Sequence, residues 1–218
     1  MVRWITTAGF VLAFSTPLAA QQPNAQAVLD RAIAAYKDVN TVQATFTQRI
    51  TNPILGRTVE AKGEVVQDRP DKISIRFVEP SGDRIVSDGT HLWIYLPSTA
   101  PGQVMKRRVE ANAAGMPDVT AMFLEAPREK YGLASGGSAT VNGRQTSVLH
   151  LTARDNTLPF TKATVWVDAK DGLVRQFEIT EPSGLVRRVT FEKLTINPRI
   201  SAGAFEFEVP DGVRVVEG

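Results

Sequence analysis

Two β-strands joined by a turn are predicted by residues 59–77, VEAKGEVVQDRPDKISIRF. In residues 59–65, apolar or small side chains alternate with Glu and Lys, and in residues 72–77 isoleucine and phenylalanine alternate with Lys, Ser and Arg. This period of two is typical of antiparallel strands that bury one face and expose the other. The stretch therefore predicts a sheet with one apolar face.

The same pattern continues on both sides of this stretch. Upstream, Val42, Ala44 and Phe46 alternate with polar residues. Downstream, turn signals such as Asp88-Gly89 and Asn142-Gly143 separate further candidate strands. We predict these strands near residues 84–87, 91–96, 103–109, 145–153, 161–168, 173–180 and 184–196, with a last short strand that carries Phe205 and Phe207. An antiparallel sheet of this size is expected to curl toward a barrel.

Two segments have helical spacing instead. Asn24 is placed to cap a helix that runs to about Asp38, and residues 112–124 are predicted to form a loop with a short helix. Each segment has an apolar side that needs a surface to cover, so both are expected to form a lid on the concave side of the sheet. The lid residues predicted in this way are Val28, Leu29, Met116, Val119, Met122 and Phe123. Gly136, Gly137 and Ser138 are expected to form a flexible connection.

The N-terminal segment has the features of a secretory signal peptide. Arg3 supplies the positive charge, and residues 5–18 are mostly apolar but too short to span a bilayer. We predict cleavage after Ala20, a single domain over residues 21–218, and export to the periplasm. The alternative is that residues 1–20 remain as an uncleaved anchor.

The composition argues against several classes of function. The 218 residues contain no cysteine, which excludes disulfides, a thiol nucleophile, cysteine-ligated zinc and a lipid-modified cysteine. The 25 basic residues nearly balance the 23 acidic ones, so no basic surface for binding nucleic acid is expected. His91 and His150 have no acid or ligand at useful spacing, and phosphate-binding and nucleophile motifs are absent. We expect no enzymatic activity, no metal and no cofactor, although a pair of carboxylates that meets only in space stays open.

One charged residue has the parity of an apolar face. Arg69 is an even number of positions from Ile73, Ile75 and Phe77. A regular strand would therefore place all four side chains on the concave face. A buried guanidinium needs hydrogen-bond acceptors. The alternative is that Pro70 ends the regular strand and leaves Arg69 at a solvated rim.

Several segments together resemble the LolA-type outer-membrane lipoprotein carriers of Gram-negative periplasms. None of them is specific alone, but their order and spacing agree over residues 25–215. They are Phe46-Thr47-Gln48, Gly63 followed by Arg69-Pro70, VSDG at 86–89, LWIYLP at 92–97 and FEFEVPDGV at 205–213.

The resemblance implies an incomplete, unclosed antiparallel β-barrel of about eleven strands with helices as a lid. It also implies a cavity for the acyl chains of triacylated lipoproteins and a bond from Arg69 to the lid backbone. In such carriers the cargo comes from an inner-membrane ABC transporter and goes to an outer-membrane receptor. We expect this chain to act as a monomer.

The lipid cavity should be lined by the apolar side chains that occupy every second position of the first strands. Trp166 joins this wall by resemblance, although Val165 and Val167 make its strand apolar on both faces. The alternative for the whole set is a solid core beneath the helices. The residues predicted to line the cavity are Val42, Ala44, Phe46, Val65, Ile73, Ile75, Phe77 and Trp166.

The first hairpin tip is unusually apolar for a solvent-exposed loop. Ile54 and Leu55 precede Arg57, and apolar residues beside a basic one suit contact with an anionic membrane. Same-fold receptors carry a protruding apolar loop, so we hypothesise that the protein also delivers directly to the outer membrane. The alternative is that Ile54 and Leu55 pack under a helix.

Other functions for the same fold stay open at this point. They are a sensor of mislocalised lipoproteins, which would usually need a further domain, and a carrier of another lipid class such as a hopanoid or a glycolipid. An enzyme is the least favoured, because the sequence shows no catalytic constellation.

Overall fold

The alternating segments form one twelve-stranded sheet. It is seen in a computed structural model that describes residues 24–109 and 120–218. The strands are β1 Thr41–Asn52, β2 Arg57–Asp68, β3 Lys72–Glu79, β4 Arg84–Asp88, β5 His91–Tyr95, β6 Gln103–Arg108, β7 Tyr131–Val141, β8 Arg144–Ala153, β9 Lys162–Asp168, β10 Val174–Thr180, β11 Val186–Ile196 and β12 Arg214–Glu217.

The sheet is open, with order β12-β6-β5-β4-β3-β2-β1-β11-β10-β9-β8-β7. Neighbouring strands are antiparallel except for β12, which pairs in parallel with β6. The predicted class, a mainly β, unclosed barrel with a helical lid, is confirmed, with twelve described strands where about eleven were expected. The long β1–β2 hairpin lies at the centre of the sheet and β7 and β12 lie at its two edges.

The first helix, α1, spans Ala25–Tyr36 and begins where the sequence predicts. The side chain of Asn24 accepts hydrogen bonds from the backbone nitrogens of Gln26 and Ala27. These two N–H groups of the first turn have no acceptor within the helix. Its buried face carries Val28, Leu29, Ala32 and Tyr36. This face packs on the concave side of the sheet and forms part of the main apolar core.

A second helical piece covers another part of the concave side. It consists of a π-helical turn at Thr120–Leu124 and the short helix α2 at Pro127–Lys130. Phe123 is buried against Phe160 and Phe177, with ring centroids 5.8 and 5.3 Å away. The described part of the predicted loop and helix is thus held by an aromatic cluster.

Two of the secondary-structure predictions are wrong. Gly136, Gly137 and Ser138 belong to β7 and do not form a flexible connection; a shift in register at Ser135/Ser138 accommodates the extra residue as a bulge. Phe205 and Phe207 are not in a strand. Phe205 ends a short 3-10 helix, Ala202–Phe205, and Phe207 stacks on Trp93 with centroids 5.5 Å apart. Both rings are therefore held by packing on the sheet, and the last strand is β12.

Two further expectations concern the N-terminal segment and the lid. The predicted signal peptide, residues 1–20, lies outside the described residues, as do Met116 and Val119 of the predicted lid. Across residues 24–109 and 120–218, the helices are all too short or too polar to cross a bilayer.

Candidate functional site

A cavity of about 430 Å³ lies within the curve of the sheet. Its walls come from the central strands β1–β4 and from β10 and β11, and Tyr36 and Met122 reach it from the helical pieces. Most of the wall is apolar. The lining residues are Tyr36, Val42, Phe46, Gln48, Val65, Gln67, Ile75, Phe77, Ile85, Met122, Pro159, Phe177, Ile179, Glu181, Arg187, Val189, Phe191 and Leu194.

The structure brings together most of the residues that the parity rule selects. Val42, Phe46, Val65, Ile75 and Phe77 all line the cavity. Ala44 and Ile73 have the same parity and are fully buried, but they lie in the packed core beside the wall. The concave side is therefore solid in one part and hollow in another.

Trp166 does not lie in the cavity wall. Val165 and Val167 belong to the buried core, so Trp166 between them projects from the opposite face of β9. There the Arg188 guanidinium lies 5.8 Å from the Trp166 ring centroid. The expectation was wrong because parity within β9 assigns the inner face to the valines.

A glycine allows two aromatic rings to form the centre of the wall. An added Cβ at Gly63 would lie 2.8 Å from Phe46 Cζ and 2.6 Å from the carbonyl oxygen of Arg76. The absence of that carbon lets the Phe46 ring lie over β2 and meet Phe77 edge-on, with centroids 5.7 Å apart. Gly63 thereby fixes the shape of the cavity.

Most of the wall was missed by the sequence analysis. Phe177 and Ile179 on β10 alternate with Gln176 and Glu178, a signal that was present but unused. On β11, Phe191 and Leu194 are three residues apart, which would place them on opposite faces of a regular strand.

A bulge in β11 resolves this conflict. Ala44 pairs with Leu194 and Phe46 pairs with Phe191, so two steps along β1 correspond to three along β11. The extra residue returns both apolar side chains to the concave face. No pattern in the sequence marks that bulge.

The cavity has polar groups at its two ends. At one end, Arg187 donates to Glu181 at 3.0 Å and to Gln48 at 3.2 Å. At the other, Gln67 is 7% exposed, and its Nε2 atom is buried with no hydrogen-bond partner among the described residues. Gln48 and Gln67 come from β1 and β2, where Gln67 lies opposite Val42.

Arg69 lies near the Gln67 end and bonds to the chain that leaves α1. Its Nη1 donates to the Val39 carbonyl at 3.2 Å, and its backbone nitrogen donates to the Asn40 carbonyl at 2.9 Å. The side chain is half-buried. Arg69 thus connects the end of β2 to the backbone between α1 and β1.

The predicted lid residues have different surroundings. Val28 and Leu29 lie in the packed core and do not line the cavity, whereas Met122 does. Tyr131 donates a hydrogen bond to the Met122 carbonyl, and burial raises the pKa of Tyr131 to about 12. The hydroxyl therefore stays protonated and keeps residues 120–124 on the sheet.

The β1–β2 tip is exposed. Ile54 and Leu55 are 82% and 66% exposed, and the Asn52 side chain accepts hydrogen bonds from both of their backbone nitrogens. These residues do not pack under a helix. Because β3 pairs only with residues 62–68 of β2, the tip extends past its neighbour on that side.

A short apolar track lies between the tip and the cavity. Ile50 and Val59 are paired, and their register places them on the same face as Phe46 and Gly63. Val59 is 61% exposed. The apolar track therefore consists of this one pair, which lies between the Gln48 end of the cavity and the Asn52–Arg57 pair at the base of the tip.

The described residues show no group of three or more His, Asp and Glu side chains arranged to hold a metal ion. His150 Nδ1 is 3.1 Å from the Thr164 hydroxyl, and His91 Nδ1 is 3.9 Å from an Asp88 carboxylate oxygen. Neither histidine lines the cavity.

Known proteins of one family are similar to this chain. The family model "Outer membrane lipoprotein carrier protein LolA" matches residues 37–208. An outer-membrane lipoprotein carrier protein from Photobacterium profundum is 32% identical over 185 residues, 81% of this chain and 82% of its own length. One from Alkalilimnicola ehrlichii is 30% identical over 204 residues, 92% of this chain and 87% of its own.

A solved structure shows the same fold. An uncharacterized conserved protein from Thermus thermophilus matches with a TM-score of 0.56 and 15% identity, and the match covers 89% of this chain and 99% of that one. The family model spans well over half of the residues and includes most of the cavity wall. The chain therefore belongs to the LolA family of outer membrane lipoprotein carrier proteins.

Proposed function

We propose that the protein is a periplasmic chaperone that carries the acyl chains of lipoproteins in this cavity from the inner to the outer membrane. The observation that carries the proposal is the mostly apolar space of about 430 Å³ between the central strands and the helical pieces. Pockets of roughly 300–1,000 Å³ can enclose a small ligand. The family relationship supports an acylated protein as that ligand.

The energetic need for such a carrier is large. Exposing one acyl chain of about fifteen methylenes to water costs about 12 kcal/mol, at ~0.8 kcal/mol each. A carrier without an energy source of its own must shield this surface and still release it. The partners we propose are triacylated lipoproteins as cargo, an inner-membrane ABC transporter as donor, and an outer-membrane receptor or the membrane itself as acceptor. The carrier acts as a monomer without a cofactor.

Analysis of co-purified material tests the cargo. The protein would be purified from a periplasmic extract without detergent, and bound molecules identified by mass spectrometry. A triacylated lipoprotein at one copy per carrier is the expected result. A hopanoid or a glycolipid as the main bound species would contradict the proposal, as would an empty cavity when lipoprotein release from the inner membrane is active.

A second proposal is direct delivery, in which the tip contacts the outer membrane without a receptor. The exposure of Ile54 and Leu55, the nearby Arg57 and the apolar track formed by Ile50 and Val59 favour it. Burial of two such side chains in a bilayer contributes about 3–6 kcal/mol. The track gives an acyl chain an apolar surface on its way out.

The test of direct delivery uses the double variant Ile54→Ser/Leu55→Ser. We expect it to hold cargo normally but to transfer lipoprotein to receptor-free vesicles of phosphatidylethanolamine and phosphatidylglycerol at least tenfold more slowly. The matched control is Val209→Ser/Val215→Ser, which removes two exposed apolar residues elsewhere. Equal transfer by wild type and the Ile54/Leu55 variant would exclude direct delivery.

A further inference from the structure

The amide of Gln67 is an exception in an otherwise apolar part of the cavity. Its neighbours in register are Val42 on β1 and Ile73 on β3, and Val65 precedes it on the same face. The residue is 7% exposed, and Nε2 has no partner among the described residues. A buried donor left without an acceptor is unfavourable, because it has given up its hydrogen bond to water.

The other amide in the wall has a different environment. Gln48 lies at the opposite end of the cavity, and its Oε1 accepts from Arg187 at 3.2 Å. That group is already used within the protein. Gln67 keeps a hydrogen-bond donor at a place where an apolar residue would satisfy packing equally well.

A ligand with a carbonyl group would supply the missing acceptor. Rotation about the terminal torsion of glutamine is broad, so the Gln67 N–H can turn toward the space that the residue lines. Ester and amide carbonyls accept such bonds well, whereas a hydrocarbon skeleton has no acceptor. Because the bond forms away from water, losing it leaves the donor unpaired again.

We propose that Gln67 is a specificity-determining residue that binds a carbonyl oxygen of an ester- or amide-linked acyl chain in the cavity. The inference rests on the proposed carrier function and deepens it. It predicts a site that recognises acyl linkages as well as apolar surface. Lipids with the same chains but no carbonyl would then bind more weakly.

The test compares two synthetic lipopeptides that differ only in their linkage. One carries an N-terminal cysteine with two palmitoyl esters on its glyceryl group, and the other carries two ether-linked hexadecyl chains. Affinities are measured by displacement of an environment-sensitive dye. We expect wild type to prefer the ester by about tenfold, the effect of one hydrogen bond of ~1.4 kcal/mol.

Two variants locate the preference. Gln67→Met keeps the length of the side chain and removes the donor, and should bind both lipopeptides equally. Gln43→Met, the matched control on the exposed face of β1 outside the cavity, should keep the preference for the ester. A preference that survives in Gln67→Met, or no preference in wild type when both lipopeptides bind, would overturn the inference. Failure of wild type to bind either lipopeptide would instead contradict the carrier function.

A measurement on the wild-type protein avoids dependence on how a variant folds. The side-chain amide resonances of Gln67 can be followed by NMR in ¹⁵N-glutamine-labelled protein. A downfield proton shift with the ester lipopeptide and none with the ether is expected. Equal shifts with both would argue against a bond to the carbonyl.

Discussion

At the scale of single residues, Arg69 connects the end of β2 to the backbone that leaves α1. Its guanidinium donates to Val39, just beyond α1, from the residue that follows β2. A charge-assisted bond of this type contributes about 1.5–3 kcal/mol. Under the proposed carrier function, a contribution of this size would favour the closed position of α1 and could still be overcome by bound cargo.

Replacing Arg69 with leucine should slow the release of cargo. Arg69→Leu removes the bond to Val39 and adds apolar surface near the cavity. The form with bound cargo is therefore stabilised relative to the closed, empty form. We expect transfer of lipoprotein from carrier to acceptor vesicles to slow by roughly tenfold. Stopped-flow fluorescence of a labelled cargo measures that rate.

Arg76→Leu is the control for this experiment. Arg76 pairs with Glu64 at 2.8 Å on the exposed face, so the variant loses the same charge without touching the cavity. Its release rate should match that of wild type. Unchanged release in Arg69→Leu would remove Arg69 from the mechanism.

Single residues also show where sequence patterns succeed. Alternation along β1–β3 predicted Phe46, Val65, Ile75 and Phe77 in the wall because the pairing of β2 and β3 is regular over residues 63–68 and 72–77, where these side chains meet. It failed at Trp166, where both faces of β9 are apolar and parity alone does not choose between them. Gln67 was missed because glutamine on an inner face looks like an ordinary polar residue until its burial is known.

At the scale of elements, bulges set the limit of prediction. The bulge in β11 places Phe191 and Leu194 on one face, and the one in β7 keeps Gly136 and Gly137 within a strand. Each adds one residue to one strand only, so it depends on the pairing with a neighbour. A rule based on the sequence of one strand does not contain that information.

The β9–β10 turn is the element on which α1 rests. An added Cβ at Gly172 would lie 3.0 Å from both the Arg31 carbonyl oxygen and Ala35 Cβ, so only glycine allows this approach. Behind the turn, Asp168 is 2% exposed and pairs with Arg144 and with Arg175. Burial opposes ionisation of Asp168, but hydrogen bonds from Arg144, the Lys170 amide and Arg175 outweigh it and hold the pKa of Asp168 far below its ordinary range.

This carboxylate should make stability depend on acid pH. Because the pKa of Asp168 is lower in the folded than in the unfolded chain, its contribution is complete above pH ~4 and is lost as the pH falls further. Asp168→Asn should lower the free energy of unfolding by about 2 kcal/mol at pH 7, since it removes charge-assisted hydrogen bonds and leaves Arg175 with only the half-buried Asp171 as a partner. The difference from wild type should shrink at pH 3.

Urea unfolding at the two pH values measures this effect. Glu60→Gln is the matched control, because Glu60 pairs with Arg49 on the exposed face and such pairs contribute at most about 1 kcal/mol. A loss in Asp168→Asn that is the same at pH 3 and pH 7 would show that the charge of Asp168 does not hold the turn.

At the scale of the whole molecule, the distinguishing property is a core that is only partly filled. Alternation gives the same prediction for a solid core and for a hollow one, because both need apolar side chains on the inner face. The structure separates them: Ile73 is fully buried in packed surroundings, whereas Val65, on the same face, borders about 430 Å³ of space. How much space remains depends on how the helices sit, which no single strand encodes.

A substitution that fills this space should stabilise the protein and weaken its function. Val65→Phe adds a ring that the cavity can accommodate, so we expect the free energy of unfolding of the empty protein to rise by about 0.5–2 kcal/mol. The same ring occupies the site of an acyl chain, so affinity for the ester lipopeptide should fall at least tenfold. Urea unfolding and dye displacement measure the two effects on one sample.

Ile73→Phe is the decisive control, because it introduces the same ring on the same face where no space is available. Overpacking a filled core costs about 1–3 kcal/mol, so this variant should be less stable than wild type. Opposite signs for the two substitutions would show that the inner face is hollow at Val65 and solid at Ile73 in solution. If Val65→Phe destabilised the protein as much as Ile73→Phe, the apolar face would be an ordinary core, and a carrier that encloses acyl chains there would have to open a space that the empty protein lacks.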